Sequence, residues 1–108
     1  MKVIIYGWKG WIGTQFIEVM DNHNINYVKG LSRVDDKLNL IKELDTIKPT
    51  HVVSFIGRTH GKHLDKNYTT IDYLEQEGKL VDNVRDNLFS PLQLSILCQQ
   101  KKIHYTYL

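Results

Sequence analysis

The most constraining feature of this chain lies at its start. An apolar run, Val3-Ile4-Ile5-Tyr6, leads into Gly7-Trp8-Lys9-Gly10-Trp11-Ile12-Gly13, and a helical pattern follows from Ile12 to Met20. A buried strand, a glycine-rich turn and an amphipathic helix in succession form the context that a dinucleotide-binding loop requires. The glycines read GxxGxxG rather than GxGxxG, and each has a physical task. Gly7 permits a tight turn off the strand, Gly10 lets the backbone come close to a pyrophosphate, and Gly13 removes a Cβ that would hold the helix off the sheet. A phosphate would then meet the free N–H groups and positive dipole end of a helix beginning near Trp11. The plainer reading is a strand–helix turn with no ligand. The Gly-Lys-Ser/Thr ending of an NTPase phosphate loop is missing, which argues against ATP or GTP hydrolysis.

The rest of the chain alternates strand and helix signals. Residues 2–6 read as a buried strand. Ile12, Phe16, Val19 and Met20 are expected to share the inner face of the first helix, which Asp21-Asn22-His23-Asn24 ends. A second strand is expected from Ile25 to Gly30. A helix from about Asp36 to Lys48 follows, capped by Asp35 or Asp36, with Leu40, Leu44 and Ile47 inward and Pro49 as its stop. The run His51-Val52-Val53-Ser54-Phe55-Ile56 suits a central parallel strand covered on both faces. Residues 57–72 read as a long polar loop, and 68–78 as a short turn of helix. A long helix is then expected from about Lys79 to Lys101, with Val81, Val84, Leu88, Leu92 and Leu97 inward. Pro91 lies inside it and predicts a kink near Asn87, four residues back, because proline lacks the N–H and crowds that carbonyl. Ile103 to Leu108 read as a fourth strand.

This alternation predicts an α/β fold, a parallel sheet of about four strands with three helices on both faces. Right-handed crossovers give the strand order 25–30, 2–6, 51–56, 103–108, with the first helix on one face and the later two on the other. The crevice would open above Gly7–Gly13, at the carboxyl ends of the strands. The final strand would form an edge without a covering helix, so the whole reads as an incomplete sheet, the front part of a larger domain.

Composition narrows the function. The 108 residues carry a formal charge of +2, and their Lys and Arg are scattered, which gives no footprint for nucleic acid. No apolar run is long enough to span a bilayer, and no signal peptide is visible. Cys98 is the single cysteine, in an apolar helical stretch; it reads as a buried thiol in a reducing, cytoplasmic setting. His60 and His63 make a His-x-x-His pattern without evident further ligands, so no metal is expected.

Cofactor choice turns on the end of the second strand, where an acidic residue favours a ribose 2′-hydroxyl and an arginine a 2′-phosphate. Ser32 and Arg33 stand there, with Asp35 and Asp36 slightly later, which favours NADP(H), with NAD(H) the alternative. Arg33 could instead be a solvated charge and the aspartates mere helix caps. Lys9 is placed to approach a phosphate or simply to face water. Of Trp8 and Trp11, one is expected to pack on the sheet edge and the other to line the loop.

Several segments together resemble a known family: Gly7 to Gly13, Lys48-Pro49-Thr50-His51-Val52-Val53, Ser54-Phe55-Ile56-Gly57-Arg58-Thr59-His60-Gly61, Ile71-Asp72-Tyr73-Leu74-Glu75, and Asn87 and Cys98 in the late helix. They look like the extended short-chain dehydrogenase/reductase superfamily, and within it the nucleotide-rhamnose branch. That branch contains the UDP-4-keto-6-deoxy-glucose 3,5-epimerase/4-reductases of plants and large DNA viruses and the dTDP-4-dehydrorhamnose reductases. The resemblance implies a Rossmann-like, NAD(P)-binding portion, residues 1–108, of an oxidoreductase of rhamnose biosynthesis. The full-length form would reduce a UDP- or dTDP-linked 4-keto sugar, after epimerisation at C3 and C5 in the bifunctional members, and a homodimer would be in keeping.

By the same resemblance the cofactor would lie over Gly7, Gly10, Trp11, Ile12 and Gly13, with Arg33 near the adenosine ribose; Ser32, beside it at the end of the second strand, is counted with the cofactor-binding residues. Phe55, Ile56, Gly57 and Thr59 would line its ribose and nicotinamide side, and Asn87 would help organise the active site. Arg58 departs from the small or apolar residue of plant members and would meet substrate phosphate or sugar. The family's catalytic Ser or Thr and its Tyr-x-x-x-Lys pair have no counterpart here: Tyr68, Tyr73, Tyr105 and Tyr107 are not followed by lysine at the fourth position. No catalytic residue is therefore expected within this chain, which alone would bind cofactor without turnover. A non-catalytic stand-alone dinucleotide-binding or interaction module, or a dinucleotide sensor of the redox-regulator kind, are the competing expectations.

Overall fold

The computed structural model describes residues 1–57, 61–63, 66–68 and 84–108. Its elements run β1 (Val3–Tyr6), α1 (Trp11–Asn22), β2 (Tyr27–Lys29), α2 (Lys37–Ile47), β3 (His51–Ser54), β4 (Gly61–His63), β5 (Lys66–Tyr68), a helical turn Arg85–Phe89 continuing into α3 (Ser90–Gln100), and β6 (His104–Tyr107). Four strands make one sheet in the order β2-β1-β3-β6, every pairing parallel. This is the order the sequence predicts. Ile4 stands opposite Val28 on one side and Val52 on the other, and Val52 stands opposite Tyr105.

Two apolar layers hold the sheet. On one face Ile4, Tyr6 and Val52 meet Leu40 and Leu44 of α2 and Leu94, Leu97 and Cys98 of α3. On the other, Val3 and Ile5 meet Met20, Phe16 and Ile17 of α1. The helices therefore divide as expected, α1 against the other two. Burying an aliphatic side chain as fully as Ile4, Ile5 or Leu94 contributes about 1.5–3 kcal/mol each. Asp36, and not Asp35, caps α2, accepting the Asn39 N–H at 3.3 Å. The helix ends in left-handed Lys48, just before Pro49.

Several expectations are corrected. In α1 the inner stripe is Gly13, Phe16, Ile17 and Met20, while Ile12 and Val19 are exposed. The helix approaches the sheet most closely at Gly13, which turns the contact line onto that residue's i+3, i+4, i+7 neighbours. In β3 the side chains alternate, Val52 and Ser54 buried, His51 and Val53 half-buried, so only one face is fully covered. Part of the expected loop 57–72 is a β4–β5 antiparallel hairpin, whose ladder pairs backbone groups that an irregular loop would leave to water. Of the short helical turn expected over 68–78, Tyr68 instead ends β5, and the rest of it, the motif 71–75 and Val81 lie outside the described residues.

The late helix shows the Pro91 effect where it was expected. Residues Arg85–Phe89 form one wide turn, and the Ser90 N–H bonds the Arg85 carbonyl five residues back. Pro91 has no N–H to offer Asn87, and its ring crowds that carbonyl; widening the turn relieves both. The wide turn holds an extra residue, which rotates the downstream stripe by about 100°. The inner face of α3 is accordingly Ser90, Pro91, Leu94, Leu97 and Cys98, while Val84, Leu88 and Leu92 are exposed. Among the described residues no helix is long and apolar enough to cross a membrane.

Candidate functional site

The site is built where β1 and β3 end. Gly7 takes φ +73°, and a Cβ there would lie 2.6 Å from the Phe55 carbonyl carbon, inside van der Waals contact. A Cβ on Gly13 would lie 2.3 Å from the Gly7 carbonyl oxygen. These two glycines let the turn fold under the first helical turn and against the exit of β3. Gly10 precedes α1 in an extended conformation, and no side chain caps the helix. The first-turn N–H groups thus have neither an intrahelical acceptor nor a capping side chain.

Two clefts meet over this turn. The first, about 260 Å³, is bounded by Gly7 and Gly10, by Arg33, Val34 and Asp35 after β2, by Phe55–Gly57, and by Ser90. The second, about 510 Å³, runs over Gly10–Gly13 and Phe55–Gly57 towards Asn87, Tyr107 and Leu108. They share Gly10, Phe55, Ile56 and Gly57 as a common floor. Ser54 and Tyr107 shape that floor: the Ile56 N–H donates to Ser54 Oγ at 3.3 Å, and the Tyr107 hydroxyl donates to the Ile56 carbonyl at 3.1 Å. Gly57, at φ +142°, lies under Asn87, whose Oδ1 would be 3.0 Å from a Cβ at that position.

The charged end of the first cleft is a small ion-pair cluster. Arg33 donates to Asp35 through Nε at 3.0 Å and Nη2 at 3.1 Å, a bidentate pair. Arg85 brings its Nε to 3.9 Å from the same carboxylate. Hydrogen bonding to Arg33, opposed by partial burial, holds the Asp35 carboxyl below its ordinary value. Asp35 is therefore a lining residue of the cleft, a role the sequence left hidden behind helix capping.

The residues singled out from sequence divide clearly. Gly7, Gly10, Trp11, Ile12, Gly13, Arg33, Phe55, Ile56, Gly57 and Asn87 all border one or both clefts. Ser32 does not. Its hydroxyl donates to the Asn39 carbonyl at 3.1 Å, facing α2. Thr59, Arg58 and His60 lie outside the described residues. Among the described residues no group of three or more metal-ligating side chains comes together. Trp11 is exposed along the second cleft, whereas Trp8 packs on the α1 face of the sheet and donates its indole N–H to the Gly30 carbonyl at 2.8 Å. Lys9 and Lys29 stand over the Trp8 ring, 5.2 and 4.8 Å from its centre. Val34, Ser90, Tyr107 and Leu108 reach the clefts only through the tertiary fold, with no local signal that could have marked them.

No protein-family model matches the chain. A curated protein of Acanthamoeba polyphaga mimivirus, described as uncharacterized protein L780, is 50% identical over 108 residues, all of this chain and 36% of the relative. The crystal structure of the L780 UDP-rhamnose synthase from that virus aligns with a TM-score of 0.91 at 50% identity, covering 99% of this chain and 36% of that one. The Arabidopsis thaliana trifunctional UDP-glucose 4,6-dehydratase/UDP-4-keto-6-deoxy-D-glucose 3,5-epimerase/UDP-4-keto-L-rhamnose-reductase RHM1 is 29% identical over 93% of this chain and 14% of that protein. A dTDP-4-dehydrorhamnose reductase from Bacillus anthracis, in complex with NADP, shares the fold at a TM-score of 0.73 and 18% identity, over 96% of this chain and 34% of that one. The chain thus spans little more than a third of the viral relative's length. Along its whole length it is similar to the nucleotide-rhamnose branch of the extended short-chain dehydrogenase/reductase superfamily, and it shares that superfamily's fold.

Proposed function

We propose that this chain is the cofactor-binding part of an NAD(P)H-dependent sugar-nucleotide reductase, acting in L-rhamnose nucleotide formation as a 4-keto-6-deoxy sugar nucleotide 3,5-epimerase/4-reductase. The observation that carries the reading is the pair of clefts sharing one floor above the uncapped start of α1. A dinucleotide has two halves joined by a pyrophosphate, and the site has two compartments joined at Gly10. The donor set suits that bridge. The backbone of Gly10–Gly13 would hold the pyrophosphate, through N–H groups that no side chain caps. Among the described residues, the one neighbour within 4 Å of a Cβ built on Gly10 lies 3.6 Å away, which leaves the outer side of that residue open to a ligand.

In this reading Arg33 holds the adenosine ribose end, and a 2′-phosphate there favours NADP(H) over NAD(H). Phe55, Ile56 and Gly57 orient the other half towards Asn87, with Thr59 beyond. When bound, the cofactor supplies hydride to the 4-keto carbon of a UDP- or dTDP-linked sugar. The residues of this chain bind and aim it. They include no Tyr-x-x-x-Lys pair, so the chain by itself binds coenzyme without turnover. Both the single, fully buried thiol of Cys98 and the absence of a membrane-crossing helix among the described residues are in keeping with a cytoplasmic protein.

The test is a titration of the 108-residue chain with NADPH and NADH, for wild type and Arg33→Ala. Saturable binding of both, with Arg33→Ala losing about tenfold in NADPH affinity and little for NADH, is expected, as for one charge-assisted hydrogen bond. Equal loss for both would end the role of Arg33, and no binding of either would end the cofactor reading.

A further inference from the structure

The stretch that bears Arg33, residues 30–36, is held by a carboxylate that lines neither of the two clefts. Glu43, on the second turn of α2, accepts the Leu31 N–H on Oε2 at 2.8 Å and the Ser32 N–H on Oε1 at 3.3 Å. The Tyr6 hydroxyl donates to the same Oε1 at 2.6 Å. Tyr6 is the last residue of β1, buried to 2% exposure, and its ring lies where a Cβ on Gly30 would fall, 2.3 Å from Cε1. One side chain thus ties together the end of the central strand, the loop after β2 and helix α2. Burial, and then the neighbouring carboxylate, push the Tyr6 phenol far above its ordinary value, so it remains a donor.

The Ser32 hydroxyl adds a second tie to α2, donating to the Asn39 carbonyl at 3.1 Å, and two further anchors flank the pair. Gly30 donates to the Ile5 carbonyl at 2.8 Å, and the Val34 carbonyl accepts from Gln93 Nε2 at 2.7 Å. Between them, Glu43 is the only described side chain given a hydrogen bond to the backbone N–H groups of Leu31 or Ser32. Those two N–H groups directly precede Arg33. A carboxylate filling them also keeps them from serving a ligand phosphate, so discrimination at this end falls to side chains.

We propose that Glu43 is a positioning residue for coenzyme discrimination: it sets the loop from which Arg33 and Asp35 meet the adenosine ribose. This rests on the cofactor reading above. The pyrophosphate and the nicotinamide half, common to NADPH and NADH, would lie on the glycine turn and the β3 exit, which Glu43 does not bond. The adenosine end, where the 2′-phosphate alone distinguishes the two coenzymes, depends on its loop.

The experiment compares wild type, Glu43→Gln and Tyr6→Phe in the full 108-residue chain, by NADPH and NADH titration and by amide hydrogen exchange at Leu31 and Ser32. Glu43→Gln should speed exchange at both amides. It should raise the Kd for NADPH about tenfold, as for loss of a hydrogen bond to a charged acceptor, and that for NADH less than about threefold. Tyr6→Phe keeps both N–H contacts and should leave the ratio of the two Kd values close to wild type. An unchanged ratio in Glu43→Gln overturns the role of Glu43, whether both affinities hold or fall together. A ratio change in Tyr6→Phe as large as in Glu43→Gln also overturns it, by assigning the effect to general loosening. A wild-type chain that binds neither coenzyme overturns the cofactor reading itself, and is distinguished by that from the other two results.

Discussion

Of the three glycines in the opening turn, only Gly10 has, among the described residues, no neighbour that demands glycine, and this separates ligand binding from folding. An alanine Cβ at Gly13 would meet the Gly7 carbonyl oxygen at 2.3 Å, and backbone must move. Overpacking of that kind costs about 1–3 kcal/mol. At Gly10 the new Cβ would meet, among the described residues, only the Gly7 carbonyl oxygen, at 3.6 Å, an ordinary contact. Its backbone, φ −73° and ψ 172°, is open to alanine. Alanine is a poorer N-cap than glycine by about 0.5–1 kcal/mol, and reduced freedom of the unfolded chain returns about 0.4–1 kcal/mol. Gly10→Ala should therefore change stability by no more than about 0.5 kcal/mol, or about 3 °C in Tm. Binding should respond differently. A methyl over the shared floor of the two clefts would block the close approach of a pyrophosphate and displace at least one N–H bond to charged oxygen, worth about 1.5–3 kcal/mol. The Kd for NADPH should rise about tenfold to a hundredfold. Thermal unfolding by circular dichroism and NADPH fluorescence titration give both numbers on one sample. A Gly10→Ala chain that melts like wild type and binds NADPH equally well would refute the placement of the pyrophosphate.

Two further outcomes follow from the ionisable groups. Hydrogen bonding to Arg33 lowers the Asp35 carboxyl from 3.8, so its contribution to stability is complete above that value and is lost as pH falls through the lower folded value. Because Arg33 is largely exposed, that contribution is about 0.5 kcal/mol or less. Urea unfolding of Asp35→Asn and wild type should differ by this small amount at pH 6 and converge by pH 2; a gap that widens on acidification would contradict the pairing. Burial pushes the Cys98 thiol up to about 11, and the residue is fully enclosed by the α3 face of the core. A disulfide reagent at pH 8 should leave it unmodified in the folded chain and react promptly in urea, and fast reaction of the folded chain would show that the core is not closed there.

The site was legible wherever one local segment makes it. Gly7 and Gly13 could be assigned their tasks from spacing because a strand ending at Tyr6 and a helix starting at Trp11 must meet in one way across so short a turn. Arg33 borders the first cleft, as its distance from that turn suggested. Asp35 was not legible: beside Asp36 it looked like a cap, and only the cap hydrogen bond from Asn39 to Asp36 frees Asp35 to face the cleft. Ser32 was read as a cleft residue, yet Asn39 and Glu43 turn it towards α2, because neighbours distant in sequence compete for its donors.

By itself, the sequence determined the four strands of the parallel sheet, their order β2-β1-β3-β6 and the division of helices between its faces, because hydrophobic periods and crossover handedness are local or nearly so. The helix faces were decided only in the tertiary structure. The apolar residues of α1 and of the late helix outnumber the inner positions, and which of them turn inward depends on where a helix touches the sheet. Close approach at Gly13 chose Ile17 over Ile12 and Val19, and the wide turn before Pro91 chose Leu94 and Cys98 over Leu88 and Leu92. The anchoring of the β2–α2 loop by Glu43 belongs to the same class, since it joins groups 37 and 12 residues apart whose meeting no spacing rule specifies.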